Sequence, residues 1–241
     1  MVKKWLHLNY WPRNPWGFKI TAAMNKAVEA GRFPPAPREI GEFNLSVTTR
    51  LDMLTRILAR IGQGLKSLEE MIKNHGPEHV FTPEREGYAF DVDEDTKYNL
   101  LIDIDSFLFE CNACCDLVGN TMMIVYNHIG QPISKEDIGR TIYGILKTAG
   151  QSTSWFVLLD NNRNKFIHNA SPYIAVDISN EEDNKYGLLI MNENIHTFED
   201  RTKFMRLSDL SNITRGLSLA LPVLEDHIAG LYAERGWRND V

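Results

Sequence analysis

The sequence predicts a mainly α-helical protein: an up-and-down bundle of four to five helices, with a small inserted β-hairpin and an irregular N-terminal arm. Three observations predict it. Apolar residues recur in steps of three and four over several long stretches, as one buried helix face requires. Glycine and proline punctuate those stretches at Gly76-Pro77, Gly130-Gln131-Pro132, Gly150 and Gly236. One region, about 172–207, has strand-type composition instead. The expected organisation is an irregular Trp- and Pro-rich arm over 1–45 and a helical bundle over 46–241 that carries the insertion.

In the arm, Trp5, Trp11 and Trp16 lie among Pro12, Pro15, Pro34, Pro35 and Pro37. Proline at this density prevents a long helix. A short helix is expected from about Thr21 to Ala30, ended by Gly31. Three indoles are too much apolar surface to leave in water, so the arm is expected to pack on the body or on a second subunit.

The first long helix is expected over 46–75, with Ser46 as its N-cap. Leu51, Leu54, Ile57, Leu58, Ile61, Leu65, Leu68 and Ile72 form its buried stripe. Arg56, Arg60, Lys66 and Lys73 form a solvated face opposite. Residues 76–95 read as a polar loop in which Tyr88–Val92 make a short strand. Asp91, Asp93, Glu94 and Asp95 follow; they lack the glycine and closing glutamate of a calcium loop and read as an acidic helix start.

The second long helix is expected over 96–129, on Leu100, Ile104, Phe107, Cys111, Cys114, Val118, Met122, Val125 and Ile129. Three thiols on one helix (Cys111, Cys114, Cys115) cannot close a tetrahedral metal site and read as small buried side chains. Glu110 sits beside the buried stripe, where a carboxylate needs a cationic partner. A third helix is expected over 134–148 behind Ser134 and Asp137, with Ile138, Ile142, Ile145 and Leu146 as its buried edge. It breaks at Gly150 and restarts from Ser152 or Ser154 to about Ile167, with Trp155, Leu158, Leu159, Asn162 and Phe166 along one side.

Strands are expected at Tyr173–Ile178, Tyr186–Met191 and Phe204–Leu207. Arg201, Lys203 and Arg206 give this flap a local positive patch. Glu193 and His196 have the spacing of a di-iron ligand pair, but a ferritin-type site needs two such pairs on bundle helices and this one has no twin. The last helix is expected over 208–235, capped by Ser208 or Ser211 and kinked at Pro222.

The composition bounds the function. The chain has 241 residues, 43% apolar and 24% charged, with a net charge of −6. An acidic balance argues against a surface coated with nucleic acid and leaves room for a small local phosphate site. Three crowded cysteines make no disulfide framework and fit a reducing cytoplasm. No apolar run approaches the roughly 20 residues of a membrane span, and Trp5–Tyr10 is too short and polar for a signal-peptide core. The expectation is a soluble cytoplasmic protein with no membrane partner and no cofactor.

The residues with chemistry at neutral pH are Arg163 and His168, five apart near the end of the fourth helical stretch, with Asn164 directly after the arginine. A guanidinium is a permanent cation whose planar fork suits phosphate. An imidazole exchanges a proton near pH 7. A plain alternative is a cation at a helix C-terminus and a histidine capping the last carbonyls. On a straight helix, positions five apart stand about 140° round the axis. The two side chains converge more easily if the helix ends before His168, or if each works with groups from another subunit.

Arg163-Asn164-Lys165-Phe166-Ile167-His168, late in a helix of an all-α chain, resembles the motif of the HEPN superfamily. The run Asn169–Ile174 also looks like the loop after this motif in some uncharacterised bacterial HEPN proteins. The resemblance covers roughly 45–235. It implies a helical bundle and, in many members, a metal-independent endoribonuclease acting as a homodimer. It makes Arg163 the phosphate clamp, His168 the proton-transfer group and Asn164 an orienting amide; independently of it, the place of Glu110 beside the buried stripe makes Arg163 a candidate cationic partner for that carboxylate. The alternative it implies is a non-catalytic dimeric module, binding an antitoxin or regulatory protein in a toxin–antitoxin or defence system.

Overall fold

The computed structural model describes residues 15–75, 78–82, 85–89, 92–168, 173–180, 185–191, 200 and 203–234; side chains are described over 15–74, 92–162, 173–177, 186–191, 200 and 203–233. Among the described residues, six helices run in chain order with two small antiparallel sheets: α1 Phe18–Glu29, α2 Arg38–His75, β1 Glu78–Thr82, β2 Arg85–Ala89, α3 Glu94–His128, α4 Lys135–Thr148, α5 Ser154–His168, β3 Tyr173–Asn180, β4 Lys185–Met191, β5 Phe204–Arg206 and α6 Leu207–Glu234. The mainly α reading with a small β insertion holds.

The chain divides into two compact units. The first comprises 1–50, 114–149 and 221–241; the second comprises 51–113 and 150–220. The three long helices are built on a common rule. Along α2, Ile40, Asn44, Val47, Leu54, Ile61, Leu65, Leu68 and Ile72 are buried, in steps that fit alternating fours and threes. Leu100, Ile104, Phe107, Cys111, Cys114 and Val118 repeat the rule on α3, and Leu210, Ile213, Leu217, Ala220 and Leu224 on α6. A repeat averaging 3.5 residues keeps one seam facing a neighbouring helix, which is the packing logic of helical bundles.

In the first unit, the N-terminal part of the described chain is fastened by polar contacts. Gly17 caps α1 at φ +84°, and a Cβ there would coincide with the Asn44 carboxamide, so the position admits only glycine. Asn44 Nδ2 donates to Gly17 O at 3.1 Å. Trp16 is buried; its backbone N–H donates to Thr48 Oγ1 at 2.8 Å and its indole N–H to Leu221 O at 3.0 Å. Trp16 thus packs on the body, as expected of the arm; Trp5 and Trp11 lie outside the described residues.

Four sequence expectations are corrected here. The first long helix begins at Arg38, eight residues before its expected start. Pro34, Pro35 and Pro37 end just ahead of it, because proline is tolerated up to the first helical turn. Ser46 is therefore no cap: it lies inside α2, with Oγ donating to Glu42 O at 2.8 Å. The stretch expected as a loop with one strand is a hairpin, β1 paired with β2 from Glu78↔Ala89 to Thr82↔Arg85. At the start of α6, Asp209 of the first turn reaches back to accept from Arg206 N at 2.8 Å, as the third helical residue does in a capping box, while Ser211 donates inside the helix to Leu207 O.

Other local signals read correctly. Ser134 Oγ accepts from Asp137 N at 3.2 Å at the start of α4. Asp93 Oδ1 accepts from Thr96 N at 2.9 Å at the start of α3, and that backbone hydrogen bond lowers the Asp93 pKa. No described helix is long and apolar enough to cross a membrane.

Candidate functional site

Helix α5 carries the Arg–His motif, so its anchoring comes first. Gly150, at φ +71°, turns the chain out of α4. The first turn of α5 forms with Phe156 N on Thr153 O at 3.0 Å, and Ser152 Oγ accepts from Ser154 N at 3.3 Å. Trp155, Leu159 and Asn162, at i, i+4 and i+7, are buried on one face. Trp155 lies flush on Gly216 of α6: a Cβ on that glycine would coincide with the indole Cγ and Cδ1. Asn162 Nδ2 donates to Leu158 O at 2.7 Å inside the same helix.

The helix does not stop before His168; it runs through it. Successive positions turn by about 100°, so residue 163 borders the stripe of Trp155, Leu159 and Asn162. Residues 164 and 168 both fall on the opposite side of the cylinder, one turn apart. The backbone therefore sets 163 and 168 about 140° from each other, and makes 164 and 168 i,i+4 neighbours. The side chains of Arg163, Asn164 and His168 lie outside the described residues. Five residues after His168, at Tyr173, the chain enters the sheet, ordered β3-β4-β5. Its middle strand is buried at Tyr186 and from Leu188 to Met191, and Leu189, Met191 and Phe204 cluster on one face. Lys73 Nζ stands 5.5 Å from the Tyr186 ring centroid. The Glu193–His196 pair lies outside the described residues.

Glu110 is buried on α3 beside Phe107, Cys111 and Cys114, as expected of a carboxylate on the stripe. Its expected pairing with Arg163 falls on a side chain outside the described ones. About two turns earlier, the same helix buries a second carboxylate that sequence reasoning missed. Asp103, seven residues before Glu110 and on the same face, pairs with Arg60 of α2. Its side chain is 10% exposed and that of Arg60 is 59% exposed. Arg60 is thus partly removed from the solvated cationic face expected for α2. The available signal was an aspartate set between Leu100 and Ile104. Nearby, a Cβ on Gly64 of α2 would meet Leu100 Cδ2 at 2.6 Å, so the two helices approach closely where that glycine stands.

The first unit holds a separate polar cluster, also unforeseen. Two His–Tyr pairs join α3 to α6 with the partners exchanged. Tyr126 Oη stands 2.9 Å from His227 Nε2, and His128 Nδ1 stands 2.9 Å from Tyr232 Oη. His128 Nε2 lies 3.0 Å from Pro34 O, a pure acceptor, so the proton sits on Nε2. In the tautomer with its single proton on Nε2, Nδ1 accepts from Tyr232 Oη. Burial pushes the Tyr232 pKa up, which keeps that hydroxyl a donor. Desolvation, with Cys114 and Asp116 nearby, likewise raises the Cys115 pKa; of the three thiols expected to be buried, Cys111 and Cys114 are buried and Cys115 is half-buried.

Helix α4 departs from expectation. Of its predicted buried edge, only Leu146 is buried; Ile138, Ile142 and Ile145 are half-buried. Ile138 lies over Gly119 of α3, where an added Cβ would stand 3.8 Å from its Cγ1. Between α4 and the second half of α6 runs an open cleft of about 470 Å³. No family model, curated protein or solved structure matches the chain.

Proposed function

We propose that the protein is a metal-independent endoribonuclease of HEPN type, cleaving RNA by attack of the ribose 2′-hydroxyl at a site shared between two copies of the chain. One observation supports this reading above the others: α5 continues through His168, so residues 163 and 168 stand on different sides of one helix. A site that needs both groups on one phosphodiester then takes them from two chains. A two-fold pair supplies two such sites, because what one chain gives its partner it also receives.

The chemistry needs a base for the 2′-hydroxyl proton, a cation for the charge that builds on phosphate, and an acid for the leaving 5′-oxygen. Arg163 clamps the non-bridging oxygens. His168 carries the proton in one of the two transfers, taking it from O2′ or giving it to O5′, and solvent water carries the other. Asn164, one helical turn away from His168, orients the imidazole. The attack forms the bond from O2′ to phosphorus and breaks the bond to O5′, leaving a 2′,3′-cyclic phosphate and a free 5′-hydroxyl.

Incubation of the purified protein with mixed RNA, with and without EDTA, tests this. Cleavage that survives the chelator and ends in cyclic phosphate is the expected result. Arg163→Ala and His168→Ala should each lower the rate by at least about 100-fold, the scale of one general acid–base or electrostatic contribution, with the circular dichroism spectrum unchanged. Full activity in both variants rejects the mechanism.

The net charge of −6 favours a second reading, a non-catalytic dimeric module that binds an antitoxin or regulatory protein. It predicts no cleavage under either condition.

A further inference from the structure

We propose that the outward face of α3 over residues 94–113 is a docking surface for a basic amphipathic helix of a partner protein. The inference is independent of the ribonuclease reading. All of these residues belong to the second compact unit.

This stretch of α3 carries two seams. Leu100, Ile104, Phe107 and Cys111 make the buried one, in steps of four, three and four. Tyr98, Ile102, Asp105 and Phe109 repeat those steps two residues earlier. An offset of two residues turns the second seam by about 200°, to the opposite side of the cylinder. Yet three of its members are large apolar side chains in water: Tyr98 is 52%, Ile102 58% and Phe109 57% exposed. A helix that is apolar on both sides is one that neighbours cover on both sides. A repeat averaging 3.5 residues keeps a seam against another helix rather than a flat surface. The stretch is about 30 Å long, room for some five turns of a docked helix.

Charge chooses the occupant. Glu94, Asp95, Tyr98, Ile102, Asp105 and Phe109 fall within an arc of about 100°. The three carboxylates among them are exposed, and the arc holds no cation. Glu94 and Asp95 also suit the helix N-terminus; Asp105, in mid-helix, has no such role and stands between Ile102 and Phe109. Lys97, the single cation of residues 94–113, lies on the flank with its Nζ 4.8 Å from the Tyr98 ring centroid, so that ring already takes an ammonium group. A second copy of this face fits badly, because in either orientation the seam would set carboxylates against carboxylates. A helix with apolar residues at the same spacing, and lysine or arginine beside them, meets the apolar groups and the carboxylates together.

The test titrates the full chain into a fluorescent synthetic peptide of three heptads. Leucine stands at the first and fourth positions of each heptad, lysine at the fifth and seventh, and alanine or glutamine elsewhere. Anisotropy should show saturable binding. The dissociation constant should rise at least tenfold with Ile102→Ser and Phe109→Ser together, and at least tenfold with Asp105→Lys. Glu136→Lys makes the same charge change at an exposed site on α4 and should move it less than twofold. A matched peptide with glutamate for lysine needs no variant: it should bind the wild-type chain at least tenfold more weakly. No saturable binding of the lysine peptide, equal binding of the two peptides, or an equal loss from Glu136→Lys overturns the proposal. So does self-association of the chain that Phe109→Ser abolishes, which would make a second copy the occupant.

Discussion

Helices α4 and α5 are nearly the same length, 14 and 15 residues, and follow one another in the chain, yet they are held in different ways. Helix α4 is specified locally. Ser134 caps its start, Ala149 and Gly150 close its end, and only Leu146 is buried. Helix α5 is specified by packing: Trp155, Leu159 and Asn162 are buried, and the indole seats on Gly216. Local encoding leaves a helix with a half-covered apolar edge, open to another segment. Packing fixes the position of a helix, which a segment carrying catalytic groups requires.

The comparison breaks first at Trp155. Trp155→Ala should cost about 3–5 kcal/mol, the range for emptying an aromatic core position. Trp155→Phe should cost under about 1.5 kcal/mol, because the buried indole N–H finds no acceptor among the described residues and loses no hydrogen bond. Gly216→Ala should cost about 1–3 kcal/mol by overpacking and should be largely relieved when combined with Trp155→Ala. Urea denaturation of the four variants checks these values. Equal losses for Ala and Phe at 155 would show that packing of the ring is not what holds α5.

The effects on α4 should be smaller. Ser134→Ala should cost about 1 kcal/mol, the value of an N-cap, and hydrogen exchange should quicken in the first turn of α4 alone. Ile142→Ala should cost under about 1 kcal/mol, since the side chain is only half-buried. If Ile142→Ala matched Trp155→Ala, the distinction between the two helices would fail.

This contrast explains what was legible in the sequence. Caps and breakers act within a few residues, so Ser134, Asp93, Gly31 and Gly150 marked helix ends correctly. Strand composition marked β3, β4 and β5. Local signals misled where two of them competed. The prolines near residue 35 argued against helix and hid the start of α2 at Arg38, although Pro37 sits where a helix accepts proline. Ser46 looked like a cap and is an interior residue. The β1–β2 hairpin lacks alternation, and the one strand expected there, Tyr88–Val92, overlaps β2 only at Tyr88 and Ala89.

Partners between distant elements were the least legible. Nothing near Asp103 announces Arg60, and nothing near His128 announces Tyr232 or Pro34. Periodicity predicted a buried edge on α4 but not that its covering would be incomplete. At the candidate site, the sequence placed Arg163 and His168 on the last turns of a helix. It left open whether that helix ended before the histidine, and the run of α5 through His168 turns the two positions apart.

The most direct test of a site drawn from two chains is complementation between inactive variants. Arg163→Ala and His168→Ala chains are unfolded together, refolded as a mixture and assayed on RNA beside each variant alone. Each mixed pair would hold one site with both groups intact and one with neither. Random pairing then predicts recovery of about a quarter of the wild-type rate. A mixture no more active than its separate parts, from a wild-type protein that does cleave RNA, would place both groups of each site on a single chain and contradict the account.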